Sequence, residues 1–133
     1  MKPTILVYEM LDEGRKKKLR QIGKGLQVQV RHIRPEHYGV PLQQILQLPQ
    51  DQWKCEAARQ PLDAEMVVFC GLTDSLLERF LYELRRMGTV EYKAVLTPTN
   101  AAWTGAALFA ELEQEHRAMH GASPERHSLS GDF

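Results

Sequence analysis

Long apolar runs are missing from this chain, so nothing in it approaches the roughly 20 residues that a membrane-spanning helix needs. Cysteine is nearly absent. Cys55 and Cys70 are too few for a disulfide framework, which points to a reducing cytoplasm. Neither GxGxxG nor GxxxxGK followed by Ser or Thr occurs, so there is no glycine-rich phosphate loop. A Ser-centred nucleophile elbow is missing as well. These absences disfavour an ordinary enzyme, and they give no reason to expect a cofactor or to assign a catalytic residue. The opening MKPTILVYEM runs almost directly into a strand, and Glu9, Asp12 and Glu13 cut its apolar stretch short, unlike a secretory signal.

Net charge is zero, but the balance is uneven. Residues 1–34 hold nine Lys or Arg against three acids, and the remaining 99 hold eight against fourteen. Such a bipolar chain suits self-association or an anionic partner, or two halves that attract each other within one monomer. We take the last as the expectation.

Ile5-Leu6-Val7-Tyr8 is continuous enough for a strand buried on both faces. Asp12 can cap a helix through about Lys24, with Leu11, the Arg15 stem, Leu19 and Ile22 inward and Gly23 and Gly25 available to end it. Val28 to Ile33 largely alternates, as a strand with one wet face does, and Pro35 stops it. Leu42, Ile45 and Leu46 are spaced for a short helix after Pro41. Leu48 to Pro61 reads as linker with a helical turn around Trp53 and Cys55, the Trp anchoring it to the core.

Met66-Val67-Val68-Phe69 is a second buried strand, after which Thr73 or Asp74 caps a helix. Leu76, Leu77, Phe80, Leu81, Leu84 and Met87 make its broad apolar face, and Gly88 ends it. Val90 to Leu96 is the next strand. Asn100 can cap the last helix, which offers Trp103, Ala107, Leu108, Phe109 and Leu112 for packing. Residues 121–133 are polar and rich in helix breakers, as a flexible tail is.

Sliding the first half by 61 puts Val7 over Val68 and Tyr8 over Phe69; sliding it by 63 puts Ile33 over Leu96, Pro35 over Pro98 and Ile45 over Leu108. The expected architecture is therefore α/β. Two tandem β-α-β-α units, about 4–47 and 65–116 with linker 48–64, form one four-stranded, mostly parallel sheet flanked by helices within a single domain, 1–120. A split arrangement with an antiparallel pair is the alternative.

The second unit resembles a small bacterial family known as domain of unknown function 3783. The residues that carry the likeness are Lys93-Ala94-Val95-Leu96-Thr97, then Asn100 and Trp103, with the amphipathic helix before them. His37 and Val40 stand in the first unit where Asn100 and Trp103 would be, which leaves only the second copy as a candidate site. The resemblance implies no activity.

Thr97, Asn100 and Trp103, with Cys70 nearby, are the candidate ligand-binding residues. Open α/β sheets bind ligands beyond the carboxyl ends of their strands, and this loop lies there if the sheet is parallel. The competing reading gives Thr97 and Asn100 turn and cap hydrogen bonds and gives Trp103 a place in the core. Cys70 precedes a helix start, where a thiol can be activated, yet it lacks a CxxC partner. His116 and His120 share a helix face, but Arg117 follows where a zincin has Glu, so no metal site is assigned. Arg15, Lys16, Lys17, Lys18, Arg20 and Lys24 make a basic helix with no aromatic interleaving, which makes nucleic acid an unlikely partner. The resulting expectation is a non-enzymatic cytoplasmic module that binds a protein partner or forms a homodimer. A small-ligand binder or weak enzyme using Thr97–Trp103 is the alternative.

Overall fold

The computed structural model describes residues 1–56 and 61–120. Four strands, β1 (Thr4–Tyr8), β2 (Gln29–Ile33), β3 (Met66–Cys70) and β4 (Tyr92–Val95), form one sheet in the order β2-β1-β3-β4. β1 and β2 are parallel, β3 and β4 are parallel, and the central pair β1–β3 is antiparallel. The sheet is thus mostly parallel, with the antiparallel pair at its centre. Helices α1 (Glu13–Leu26) and α3 (Asp74–Met87) complete the two parallel crossovers, as parallel neighbours require. The shorter α2 (Leu42–Gln47) and the long α4 (Gly105–His120) follow β2 and β4.

Two cores result, one on each face. Ile5, Val7, Val67 and Phe69 point to the side where Leu19, Phe80, Leu81 and Leu84 pack. Leu6, Tyr8, Met66, Val68 and Cys70 point to the other side, against Leu42, Ile45, Leu108, Phe109 and Leu112. β1 and β3 are buried along their whole length, which is why they lack any polar alternation.

Local chemistry sets the element ends. Asp12 caps α1, its Oδ1 accepting from Gly14 N at 2.7 Å and Arg15 N at 3.2 Å. Leu11 precedes that helix and is 72% exposed, so it has no place on the inward face. α1 runs through Gly23 and Gly25 and ends at Gln27, which takes the left-handed conformation itself at φ 59°. Gly23 is needed for space. A Cβ there would stand 2.7 Å from the Val28 carbonyl and press on Val30. Thr73 caps α3 through Leu76 N, and Gly88 ends it at φ 101°. α4 starts later than Asn100. Thr104 Oγ1 accepts from Ala107 N and caps the helix, and Ala107 is exposed. The turn expected around Trp53 and Cys55 is a 3₁₀ turn at Gln50–Gln52, just before Trp53. The proposed linker falls partly, and the proposed tail wholly, outside the described residues.

Register corrects the first offset. Leu6 stands opposite Val68 and shares its face, whereas Val7 and Val68 lie on opposite faces. A shift of one residue along a strand reverses every side chain, so an overlay of β1 on β3 that keeps their faces together needs an offset of 62. Glu9 (φ 61°) and Gly71 (φ 74°), each just past its strand, match at that offset. Pro41 and Thr104, which precede α2 and α4, form an isolated antiparallel bridge.

Candidate functional site

Asn100 is buried, and its polar groups are turned inward. Its Oδ1 accepts from Thr97 N at 2.8 Å, its Nδ2 donates to Val95 O at 3.0 Å, and its own N–H donates to Thr97 Oγ1 at 3.1 Å. Thr97 and Asn100 are therefore brought together and tie the loop to the end of β4. Trp103 is half-buried against the α2/α4-side core, and its carbonyl accepts from Leu42 N at 2.9 Å. Cys70 belongs to that same core, where burial pushes its thiol up to about 12. Such a thiol is almost entirely protonated at neutral pH, the opposite of the activated state.

The antiparallel centre also alters the geometry of a ligand site. The carboxyl ends of β1 and β2 lie at one end of the sheet, and those of β3 and β4 at the other. No single carboxyl edge gathers the loops of both halves, as it would in a fully parallel sheet.

The Asn100–Val95 bond matters for the outer edge of β4. Successive residues in a strand turn their backbone groups to opposite sides. Leu96 N donates to Phe69 O, so Tyr92, Ala94 and Leu96 face β3, while Lys93 and Val95 face outward. The outward carbonyl of Val95 is taken by Asn100 Nδ2. The Lys93 side chain is itself buried, its Nζ donating to Val90 O at 2.9 Å. A charged side chain folded onto a short outer strand is one of the ways in which sheets protect their edges.

The opposite edge differs. Gln29 N donates to Pro3 O at 2.9 Å, so Gln29, Arg31 and Ile33 face β1, and Val30 and His32 turn outward. Among the described residues β2 pairs with β1 alone, and no hydrogen bond closes the outward groups of Val30 or His32. An offset of 63 lays His37 over Asn100. The His37 ring lies edge-on to Trp53 at 5.1 Å between centroids and gives no bond to His32. Asn100 thus covers one outward carbonyl of β4, whereas His37 turns to Trp53 and covers none of β2.

Cations surround the open edge. Burial first, then Lys16 and Arg20, hold the His32 imidazole below its ordinary value, with Glu13 opposing them. His32 Nε2 is buried and has no hydrogen-bond partner among the described residues. On the other face, Arg31 donates to Ile45 O at 2.8 Å and lies 5.4 Å from the centre of the Trp53 ring. At the strand's start, Lys2 and Lys24 line a recess of about 450 Å³ with Gln27, Val28 and Gln29. The expectation that opposite charges join the two halves is met at one place, where Arg15 grips Glu65 at 2.6 and 3.0 Å. The other ion pairs among the described residues are local in sequence, and Lys17, Lys18, Arg20 and Lys24 take part in none.

Several of these features could not be read from the sequence. Tyr38, in the turn before α2, accepts from Glu9 N through its hydroxyl, while Glu9 Oε1 accepts from Leu62 N. No motif marks either residue. His116 packs edge-on against Tyr92 at 5.5 Å; the side chain of His120 lies outside the described residues.

Together these elements define a small α/β protein with a central antiparallel junction, a β4 edge covered at Val95 O and a β2 edge without such cover among the described residues. Residues 65–119 match the family described as Domain of unknown function (DUF3783). The match covers β3, α3, β4 and most of α4, and so includes Lys93, Thr97 and Asn100. No curated protein and no solved structure matches the chain significantly.

Proposed function

We propose that this protein is a non-enzymatic interaction module whose contact surface is the outer edge of β2. The observation that carries the reading is the contrast between the edges. Val95 O is covered by Asn100, and the corresponding groups of Val30 and His32 have no partner among the described residues. An open edge binds an extended segment through the main chain, and neighbouring side chains choose the sequence. A small ligand at Thr97–Trp103 has less support, because the polar groups of Asn100 already serve Thr97 and Val95. An internal duplication belongs to the same reading. Both halves run strand, helix, strand, 3₁₀ turn and helix, and divergence at His37 and Asn100 would have specialised one edge. Two cysteines that form no disulfide among the described residues accord with a reducing, cytoplasmic setting.

The test is selection from a random peptide library, followed by amide chemical-shift mapping of each selected peptide. The expected result is a response at Val30 and His32. Peptides that instead move the amides of Thr97 to Trp103 would sink the edge reading and revive the ligand site.

A further inference from the structure

We infer that the β2 edge accepts an acidic, extended segment of a different protein, with its acids at every second position. This rests on the edge reading above and adds the chemistry of the partner. Val30 and His32 each present an N–H and a C=O outward. A peptide backbone supplies the alternating acceptors and donors that such an edge needs, whereas a phosphodiester has no donor for the carbonyls. Alternate side chains of an added strand project to opposite faces of the sheet. Those on the α1 side meet Arg20 beside His32, with Lys16, which is paired with Glu13 at 3.1 Å, next to it and Lys24 further along by the strand's start. Those on the other side meet Arg31, which is already bonded to Ile45 O and stacked on Trp53, so the acids belong on the α1 side.

Charge argues against a second copy as the occupant. Pairing β2 with β2 would oppose Lys16 and Arg20 to the same residues, and like charges across an edge are unfavourable. Pairing β2 with β4 would require displacing Asn100 Nδ2 from Val95 O and lifting Lys93 from Val90 O. Arg20 and Lys24 take part in no ion pair among the described residues, so their charge is available to a partner.

The experiment uses the full chain and three fluorescein-labelled probes: an alternating Glu/Thr peptide, its Lys/Thr counterpart, and single-stranded oligothymidylate. Anisotropy gives affinity at low and moderate salt, and amide shifts give location. Glu/Thr should bind, weaken with salt and move the Val30 and His32 amides, while Lys/Thr should not bind. Lys16→Glu with Arg20→Glu should cost about tenfold or more in affinity. His32→Pro removes an outward donor and should abolish binding. The charge-reversal pair leaves the strand sequence intact, and so keeps the test if the proline variant fails to fold. Equal binding of both peptides, lost only with His32→Pro, would overturn the acidic preference and leave the edge reading standing. Peptide binding that leaves the β2 amides unmoved, or no peptide binding at all, overturns both. Oligothymidylate binding tighter than either peptide, lost on charge reversal, would make the surface a nucleic-acid site and overturn the inference.

Discussion

Asn100→Ala tests how the loop after β4 is held. The substitution removes two side-chain hydrogen bonds, from Thr97 N at 2.8 Å and to Val95 O at 3.0 Å. Each bond contributes about 0.5–1.5 kcal/mol net, so their loss alone costs about 1–3 kcal/mol. Asn100 is 8% exposed, and water that reaches the stranded Thr97 N–H and Val95 C=O would keep the cost near the lower end. Equilibrium urea unfolding followed by the fluorescence of Trp53 and Trp103 measures it, with an unchanged m-value required for a simple stability reading. The α4 cap should survive, because Thr104 provides it, and helical circular dichroism should be unaltered at zero urea. A second effect is expected at the sheet. Freeing Val95 O should make the β4 edge more open and raise amide exchange along it. An Asn100→Ala protein as stable as wild type, with β4 exchange unchanged, would refute the assignment of Asn100 as the closure of that edge.

Three further outcomes are expected. Gly105→Ala should lose about 1–3 kcal/mol, because a Cβ there would overlap the buried Tyr8 ring and stand 2.6 Å from its Cζ; a neutral result in thermal melts would mean that the ring can yield. Native protein should react with a disulfide reagent at one thiol per chain near neutral pH, the exposed Cys55, and at both thiols only when unfolded. Fast reaction of Cys70 in the folded state would contradict its burial. His32 binds a proton more weakly folded than unfolded, so the stability that it confers is full above about 6.5 and shrinks as pH falls below that value. His32→Gln should flatten the decline in urea midpoint between pH 7 and pH 5, and an unaltered slope would remove His32 as its source.

Much of the architecture was legible because burial leaves periodicity. Met66 to Phe69 reads as a strand, and Leu76 to Met87 as a helix, because one lies between two helical layers and the other packs one face. Weaker ends went astray for specific reasons. Leu11 looks inward by spacing, yet α1 begins only at Glu13. Gly23 looks like a helix end, but it is a point of close approach to β2. Asn100 looks like the cap of the final helix, but its side chain reaches back to β4 across the loop. Thr97 and Asn100 bond to each other, and nothing in their spacing indicates that Asn100 also covers Val95 O.

The amino-acid sequence by itself determined the alternation of strands and helices, the capping of α1 and α3, and the basic character of the first helix. Each follows from residues close to one another along the chain. Only the tertiary structure decided that β1 and β3 run antiparallel, because register and direction depend on which faces meet rather than on either strand alone. That one pairing sends β2 and β4 to opposite edges of the sheet. Which edge stays open is then settled by contacts over distance: Asn100 reaches Val95 O, and His37 turns to Trp53 instead.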